Sequence, residues 1–180
     1  MEKRSEKADP TSVPVSGTEV FLAFGSSKGD RTAFIRAAMD GLADGGFELK
    51  QVSPLYETDP VDSEAGTPRF LNGIVAGYWK GSAEALLELC QRLERQAGRP
   101  EKHSSRRSRE LDLDIILFGS SIIRTEKLTV PHPRAARRAF VLVPLNDLAP
   151  DAVFPDSGKT VRKLLAELPD QSGIVRRTGP

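Results

Sequence analysis

The order in which apolar runs and helical periods follow one another restricts this chain to very few folds. EVFLAF (19–24) is a short apolar run that stops at Gly25, and behind it Phe34, Ile35, Ala38 and Leu42 recur at helical spacing. A strand followed by a helix is expected. Gly45 and Gly46 close that helix, and the segment from Phe47 to Tyr56 is rich enough in β-formers to be a second strand. FLNGIVAGYW (70–79) reads as a third strand. The helix after it takes Ser82 as N-cap, carries Leu86, Leu89, Cys90, Leu93 and Ala97 on one face, and ends at Gly98. LDLDIILF (111–118) supplies a fourth strand.

The resulting β-α-β-β-α-β order is the split βαβ arrangement. The expected class is therefore α+β: a ferredoxin-like core with an antiparallel sheet, helices on one face, and extra C-terminal helices at ARRAFVLVPL (136–145) and about 159–168. No internal repeat is present. With 180 residues and 38% hydrophobic content the chain is large enough for one well-packed domain, expected over 18–168. Residues 1–17 and 169–180 hold charge, Pro, Ser and Gly with little to bury, and are expected to be flexible tails.

Lys and Arg number 26 against 25 acids, so no global field draws the chain to nucleic acid or to an anionic membrane, and any anion site must be local. The single cysteine, Cys90, has no partner for an internal disulfide and belongs to an apolar helix stripe, the setting of a buried inert thiol. No apolar run reaches membrane-spanning length, and the N-terminus lacks the apolar centre of a signal peptide. A cytoplasmic protein, with neither membrane nor nucleic acid as partner, is expected.

Chemistry concentrates in LDLDIILF. Strand alternation sends Leu111, Leu113, Ile115 and Leu117 to one face and Asp112, Asp114, Ile116 and Phe118 to the other, with the two carboxylates about 7 Å apart at Cα. Two like charges on one side of a mostly buried strand repel and are costly to desolvate unless Arg or a divalent cation compensates them. Hard oxygen donors in such a pair suit Mg²⁺, which commonly adds phosphate oxygens to one or two carboxylates. Basic residues flank the strand: Arg99, Lys102, Arg106, Arg107 and Arg109 before it, Lys127, His132, Arg134, Arg137 and Arg138 after it. Each cluster alone reads as solvated surface. Around paired carboxylates they describe a polyphosphate site, since guanidinium groups grip phosphate oxygens in bidentate fashion. G-x-x-x-x-G-K-[ST] is missing, so this is not a P-loop. ETDPVDSEAGTPR (57–69) is long for a loop without a task.

The strings FGSSKGDR, SPLYETDPVD, FLNGIV, LERQAGR, RELDLDIILFG, LTVPHP and RRAFVLVPL resemble, in order and approximate spacing, those of 6-hydroxymethyl-7,8-dihydropterin pyrophosphokinases, over residues 19 to about 168. The resemblance implies a ferredoxin-like fold and transfer of pyrophosphoryl from ATP to the pterin hydroxymethyl group, giving AMP. It implies that Asp112 and Asp114 bind two Mg²⁺ ions. Phe70 and Phe140 are similar to the aromatic pair that sandwiches the pterin, Asn72 to the amide that reads its edge, and Thr58 and Val61 to loop positions whose backbone touches it. Glu94, Arg99, Arg109, His132 and Arg138 match nucleotide and phosphate contacts, while Lys127 and Thr129 border adenine and ribose. Arg99 and Arg109 join the two aspartates as catalytic candidates. The partners implied are ATP and the pterin, and a monomer is expected.

Some positions depart from the family pattern: Ser27 for Asn, Asp59 for the first of two prolines, Glu101 for Arg, Arg106 for Trp and Pro133 for Tyr. Glu101 would repel a triphosphate, so no phosphate contact carries over there. Two other readings remain beside the active enzyme: a homologue that binds pterin or nucleotide with little turnover, and an RNA-binding module on the same fold. Against the latter, FLNGIVAGYW lacks the K/R-G-F/Y-G/A-F-V-x-F/Y motif of an RNA-recognition sheet.

Overall fold

A computed structural model describes residues 17–60, 66, 68–98 and 109–177. The first half runs β1 (Thr18–Ser26), α1 (Arg31–Asp44), β2 (Glu48–Val52), β3 (Tyr56–Thr58), β4 (Phe70–Trp79), α2 (Ala83–Gln96) and β5 (Asp112–Phe118). Short strands β6 (Ile123–Arg124) and β7 (Thr129–Val130) follow, then a 3₁₀ turn at Ala135–Arg137 and α3 (Ala139–Leu148). The chain closes with β8 (Val153–Phe154), β9 (Lys159–Thr160), α4 (Val161–Glu167) and β10 (Ile174–Arg176).

Local signals set the helix ends. Asp30 caps α1 by accepting Ala33 N–H at 3.0 Å, and Ser82 caps α2 by accepting Ala85 N–H at 3.1 Å. At the far ends Gly46 (φ 94°) and Gly98 (φ 106°) take the left-handed conformation that stops a helix. The expected second strand is two. β2 and β3 flank Ser53, whose backbone N–H donates to Ile74 C=O while its hydroxyl accepts Ile74 N–H, so one side chain stands in for a ladder partner.

Six strands form one antiparallel sheet in the order β10-β3-β4-β1-β5, with β2 also paired to β4, while β6–β7 and β8–β9 are separate two-stranded ladders. Alternation divides it between two cores. Val20, Leu22 and Phe24 meet Leu42 of α1 and Leu86 and Leu89 of α2 on one side. Phe21, Ile74 and Ile116 meet Leu142 and Leu145 of α3 and Leu164 of α4 on the other. The two helices between the strands, α1 and α2, lie on one face as expected. The C-terminal helices cover the second face, because Phe21, Ile74 and Ile116 form an apolar surface that must be buried.

Two expectations are corrected. The β1–β5 register shifts between Phe21, opposite Leu117, and Leu22, opposite Ile115, so Ile116 is a bulge residue. The bulge inverts alternation: Leu117 joins the α3 side and Phe118 the α1–α2 side, the reverse of the simple pattern. Residues 169–180, expected as a tail, contain β10, which pairs with β3. The N-terminal tail, apart from Gly17, lies outside the described residues.

Candidate active site

The α3 side of the sheet carries the site. Gly25 of β1 lies in register with Asn72 of β4 on one side and Asp112 of β5 on the other; Ala23 likewise lies between Ile74 and Asp114. Neighbouring strands are about 4.8 Å apart, which sets Asn72 and Asp112 roughly 10 Å apart across a floor of small residues. A Cβ on Gly25 would fall 2.5 Å from Asn72 Oδ1 and 3.9 Å from Phe70 Cδ1. The Asn72 amide and the Phe70 ring thus converge over the bare glycine.

Thr58, opposite Phe70 in the β3–β4 ladder, orients that amide: Asn72 Nδ2 donates to Thr58 Oγ1 at 2.6 Å, and both residues are buried. Phe70 is half-buried and belongs to neither core. Phe140, in the first turn of α3, packs at the margin of the second core, and the Arg138 guanidinium lies 5.2 Å from its ring centroid. The Tyr56 hydroxyl donates to Asp147 Oδ2 at 2.5 Å, tying β3 to the end of α3. Burial, with Asp147 assisting, pushes that phenol up to about 12.

On the other half, Arg109 Nη1 pairs with Asp112 Oδ2 at 2.8 Å, so one carboxylate has a guanidinium beside it. Ser27 anchors Arg109, donating its N–H to Arg109 C=O at 2.9 Å and accepting Arg109 N–H on its hydroxyl at 3.0 Å. Glu94 reaches from α2 to accept Leu113 N–H at 2.9 Å, fixing the backbone between the two aspartates. His132 N–H donates to Ile116 C=O at 3.2 Å, which holds the ring near the acid strand, and its Nδ1 accepts Arg134 N–H at 3.2 Å. Burial first, then Arg138 and Arg134, lowers the His132 pKa to about 4, with Asp112 opposing. The imidazole is neutral near pH 7, with Nε2–H left as donor.

The fold thus brings together Thr58, Phe70, Asn72, Arg109, Asp112, Asp114, His132, Arg138 and Phe140. Thr129 lies on β7, and Lys127 stands exposed in the turn before it. Val61 and Arg99 fall outside the described residues, as do Glu101, Arg106 and Arg107. Among the described residues no cluster of three or more His, Cys, Asp or Glu could hold a metal, so an ion here would rest on the aspartate pair and substrate oxygens. Cys90 is buried and its thiol is pushed up to about 12, chiefly by burial, as an inert core thiol requires. Sequence reasoning misses Gly25, Tyr56 and Asp147. In the sequence Gly25 reads only as the end of a strand, although a glycine between two polar strand positions is a signal of close approach.

The class is an antiparallel α/β domain that carries a carboxylate pair, an amide and a half-buried aromatic ring on one sheet face. The model of the family 7,8-dihydro-6-hydroxymethylpterin-pyrophosphokinase (HPPK) matches residues 21–150, and the chain belongs to that family. It is 40% identical over 166 residues to the 2-amino-4-hydroxy-6-hydroxymethyldihydropteridine pyrophosphokinase of Pseudomonas aeruginosa, covering 89% of this chain and 97% of that one. To the enzyme of that name from Methylorubrum extorquens it is 37% identical, covering 88% and 98%. The HPPK-DHPS of Plasmodium falciparum, solved with pteroate, superposes with a TM-score of 0.67 at 13% identity. That likeness concerns the fold, and covers 84% of this chain but 44% of the longer one. No helix among the described residues is long and apolar enough to cross a membrane.

Proposed function

We propose that the chain transfers the pyrophosphoryl group of ATP to the hydroxymethyl oxygen of 6-hydroxymethyl-7,8-dihydropterin, releasing AMP and the pterin pyrophosphate. One observation carries the reading: the Asn72–Gly25–Asp112 row sets the Asn72 amide and the Phe70 ring on the same sheet face as the carboxylate pair. The family and the relatives' names agree with it. The strand order β5-β1-β4 followed by β2 and β3 supports the ferredoxin-like core.

In this reading Phe70 and Phe140 stack on the two faces of the pterin, Asn72 reads its edge, and the backbone at Thr58 and Val61 completes the pocket. A half-buried Phe70 outside both cores is a ring available for stacking. Arg99, Arg109, His132 and Arg138 take the phosphates, Lys127 and Thr129 border adenine and ribose, and Glu94 belongs to the nucleotide side through its hold on β5. Arg109 exchanges part of its pairing with Asp112 for phosphate when ATP enters. His132 presents a neutral N–H donor, which binds an anion without needing a proton from solvent. Asp112 and Asp114 fit two Mg²⁺ ions: both offer hard oxygens on one face, flanked by side-chain-poor Gly25 and Ala23. When bound, the ions supply charge neutralisation at the phosphate oxygens. Positioning does the rest, and no covalent intermediate is required. The protein acts as a cytoplasmic monomer on small molecules and not on nucleic acid.

Incubation with ATP, Mg²⁺ and the pterin, followed by chromatography, tests this. AMP and a pterin pyrophosphate are expected. ADP in place of AMP overturns pyrophosphoryl transfer, and pterin binding without product identifies a binding-only homologue.

A further inference from the structure

Thr58 orients Asn72, yet it ends a strand of three residues, Tyr56–Thr58, that β4 supports on one side only. So short a strand is weakly held by one ladder. Its other side is covered by β10, with Ile174 opposite Thr58 and Arg176 opposite Tyr56. Backbone bonds close both ends of this added ladder: Asp59 N–H donates to Gly173 C=O at 3.0 Å, and Arg177 N–H donates to Leu55 C=O at 2.9 Å.

Side chains gather at the Gly173 end. Arg69, immediately before Phe70, pairs with Asp59 (Nε to Oδ1, 2.9 Å), and its Nη2 donates to the same Gly173 carbonyl at 3.1 Å. Arg31 of α1 joins them, donating to Glu57 Oε1 at 2.9 Å and to Arg69 C=O at 3.0 Å. Gly173 has φ +73°, a conformation that side chains rarely adopt, and a Cβ there would lie 2.5 Å from Asp59 Oδ2. Position 173 is therefore closed to a side chain twice over, by its backbone and by Asp59.

We propose that the C-terminal segment Gly173–Arg177 is a positioning element for the pterin pocket: clipped through Gly173 to Asp59 and Arg69, it holds β3 so that Thr58 presents the Asn72 amide. The proposal rests on the pterin assignment made above. None of the clip residues touches the acid strand in the contacts described, so their effect is confined to the pterin half. Asp59, where the family pattern has proline, is the residue that makes the clip possible, because its N–H and its carboxylate are both used.

The test is Gly173→Ala in the full chain. Dissociation constants are measured by calorimetry for 6-hydroxymethyl-7,8-dihydropterin, with a non-hydrolysable ATP analogue and Mg²⁺ present, and for the analogue alone; AMP formation and melting temperature complete the set. Pterin affinity should fall about ten-fold, with the analogue unchanged within two-fold. Arg69→Gln, which loses both the Asp59 pair and the Gly173 bond, should do the same and serves if Gly173→Ala does not fold. Arg69→Lys keeps the charge for Asp59 and should recover part of the affinity. An unchanged pterin constant, or equal losses for both ligands, overturns the clip. Failure of the parent protein to make AMP defeats the functional reading instead, so the two failures are distinct.

Discussion

Gly25→Ala isolates the pterin half of the site with a single methyl group. The new Cβ would stand 2.5 Å from Asn72 Oδ1, where ordinary contact begins at 3.4 Å, so the amide must retreat by about 0.9 Å. Retreat is resisted, because Nδ2 of the same amide is held at 2.6 Å by Thr58. Asn72 is 7% exposed and Thr58 3%, so a group that loses its partner finds little water to replace it. Losing that bond costs about 0.5–1.5 kcal/mol if both groups are resolvated, and about 1–3 kcal/mol if one stays unsatisfied. Removing glycine from a strand returns about 0.5–1 kcal/mol. The net loss of folding stability should be roughly 1 kcal/mol, a drop of about 2–4 °C in melting temperature. Binding should suffer more, since a displaced amide no longer matches the pterin edge: about 1.4–2.8 kcal/mol, or 10- to 100-fold in pterin affinity. The three atoms nearest the new methyl all belong to Asn72 and Phe70, so affinity for an ATP analogue should stay within two-fold. Calorimetric titration with each ligand, beside a thermal melt, reads both effects. Unchanged pterin affinity, or equal weakening of both ligands, refutes the assignment of Asn72 and Gly25 to the pterin pocket.

Other outcomes follow from the same geometry. Asp114→Asn and Asp112→Asn keep shape but remove negative charge and a hard ligand, so AMP formation at saturating Mg²⁺ should fall at least 10²-fold while the metal-free melting temperature stays within about 4 °C; retained activity in both variants rules out the aspartate metal site. Asp112→Asn should lose some stability through the weakened 2.8 Å pair with Arg109. Phe140→Ala should weaken pterin binding more than ATP binding, and equal losses would make it a core residue alone. His132 has a folded pKa of about 4 against 6.5 unfolded, so the unfolded chain binds more protons between those values and stability falls as pH drops through that window. After discounting for its solvent contact the loss should be roughly 1–2 kcal/mol, and a His132→Gln variant with the same pH slope in urea melts would show the histidine is not its source.

Elements governed by neighbours in the chain are legible in the amino-acid sequence itself. Hydrophobic period places β1, α1, β4, α2 and β5, and the cap residues Asp30 and Ser82 and the glycines at 46 and 98 act through bonds within a few residues. The pairing of Phe70 with Asn72 and of Asp112 with Asp114 on common faces needs only strand alternation. Tertiary structure decides what depends on partners far along the chain. Alternation fails at Ile116 because a bulge is a property of two strands, set by the fit of β5 to β1. The helix expected at 136–145 is found, but its bounds are tertiary: α3 starts at Ala139 and continues past Pro144 to Leu148, where burial of Val141, Leu142 and Leu145 against the sheet outweighs the lost backbone bond. Ile174–Arg176 reads as tail because three residues cannot form a strand alone; they become one where β3 offers an open edge. The role of Gly25 is hidden for the same reason: a missing side chain has meaning only when Asn72, far along the chain on β4, is found lying over it.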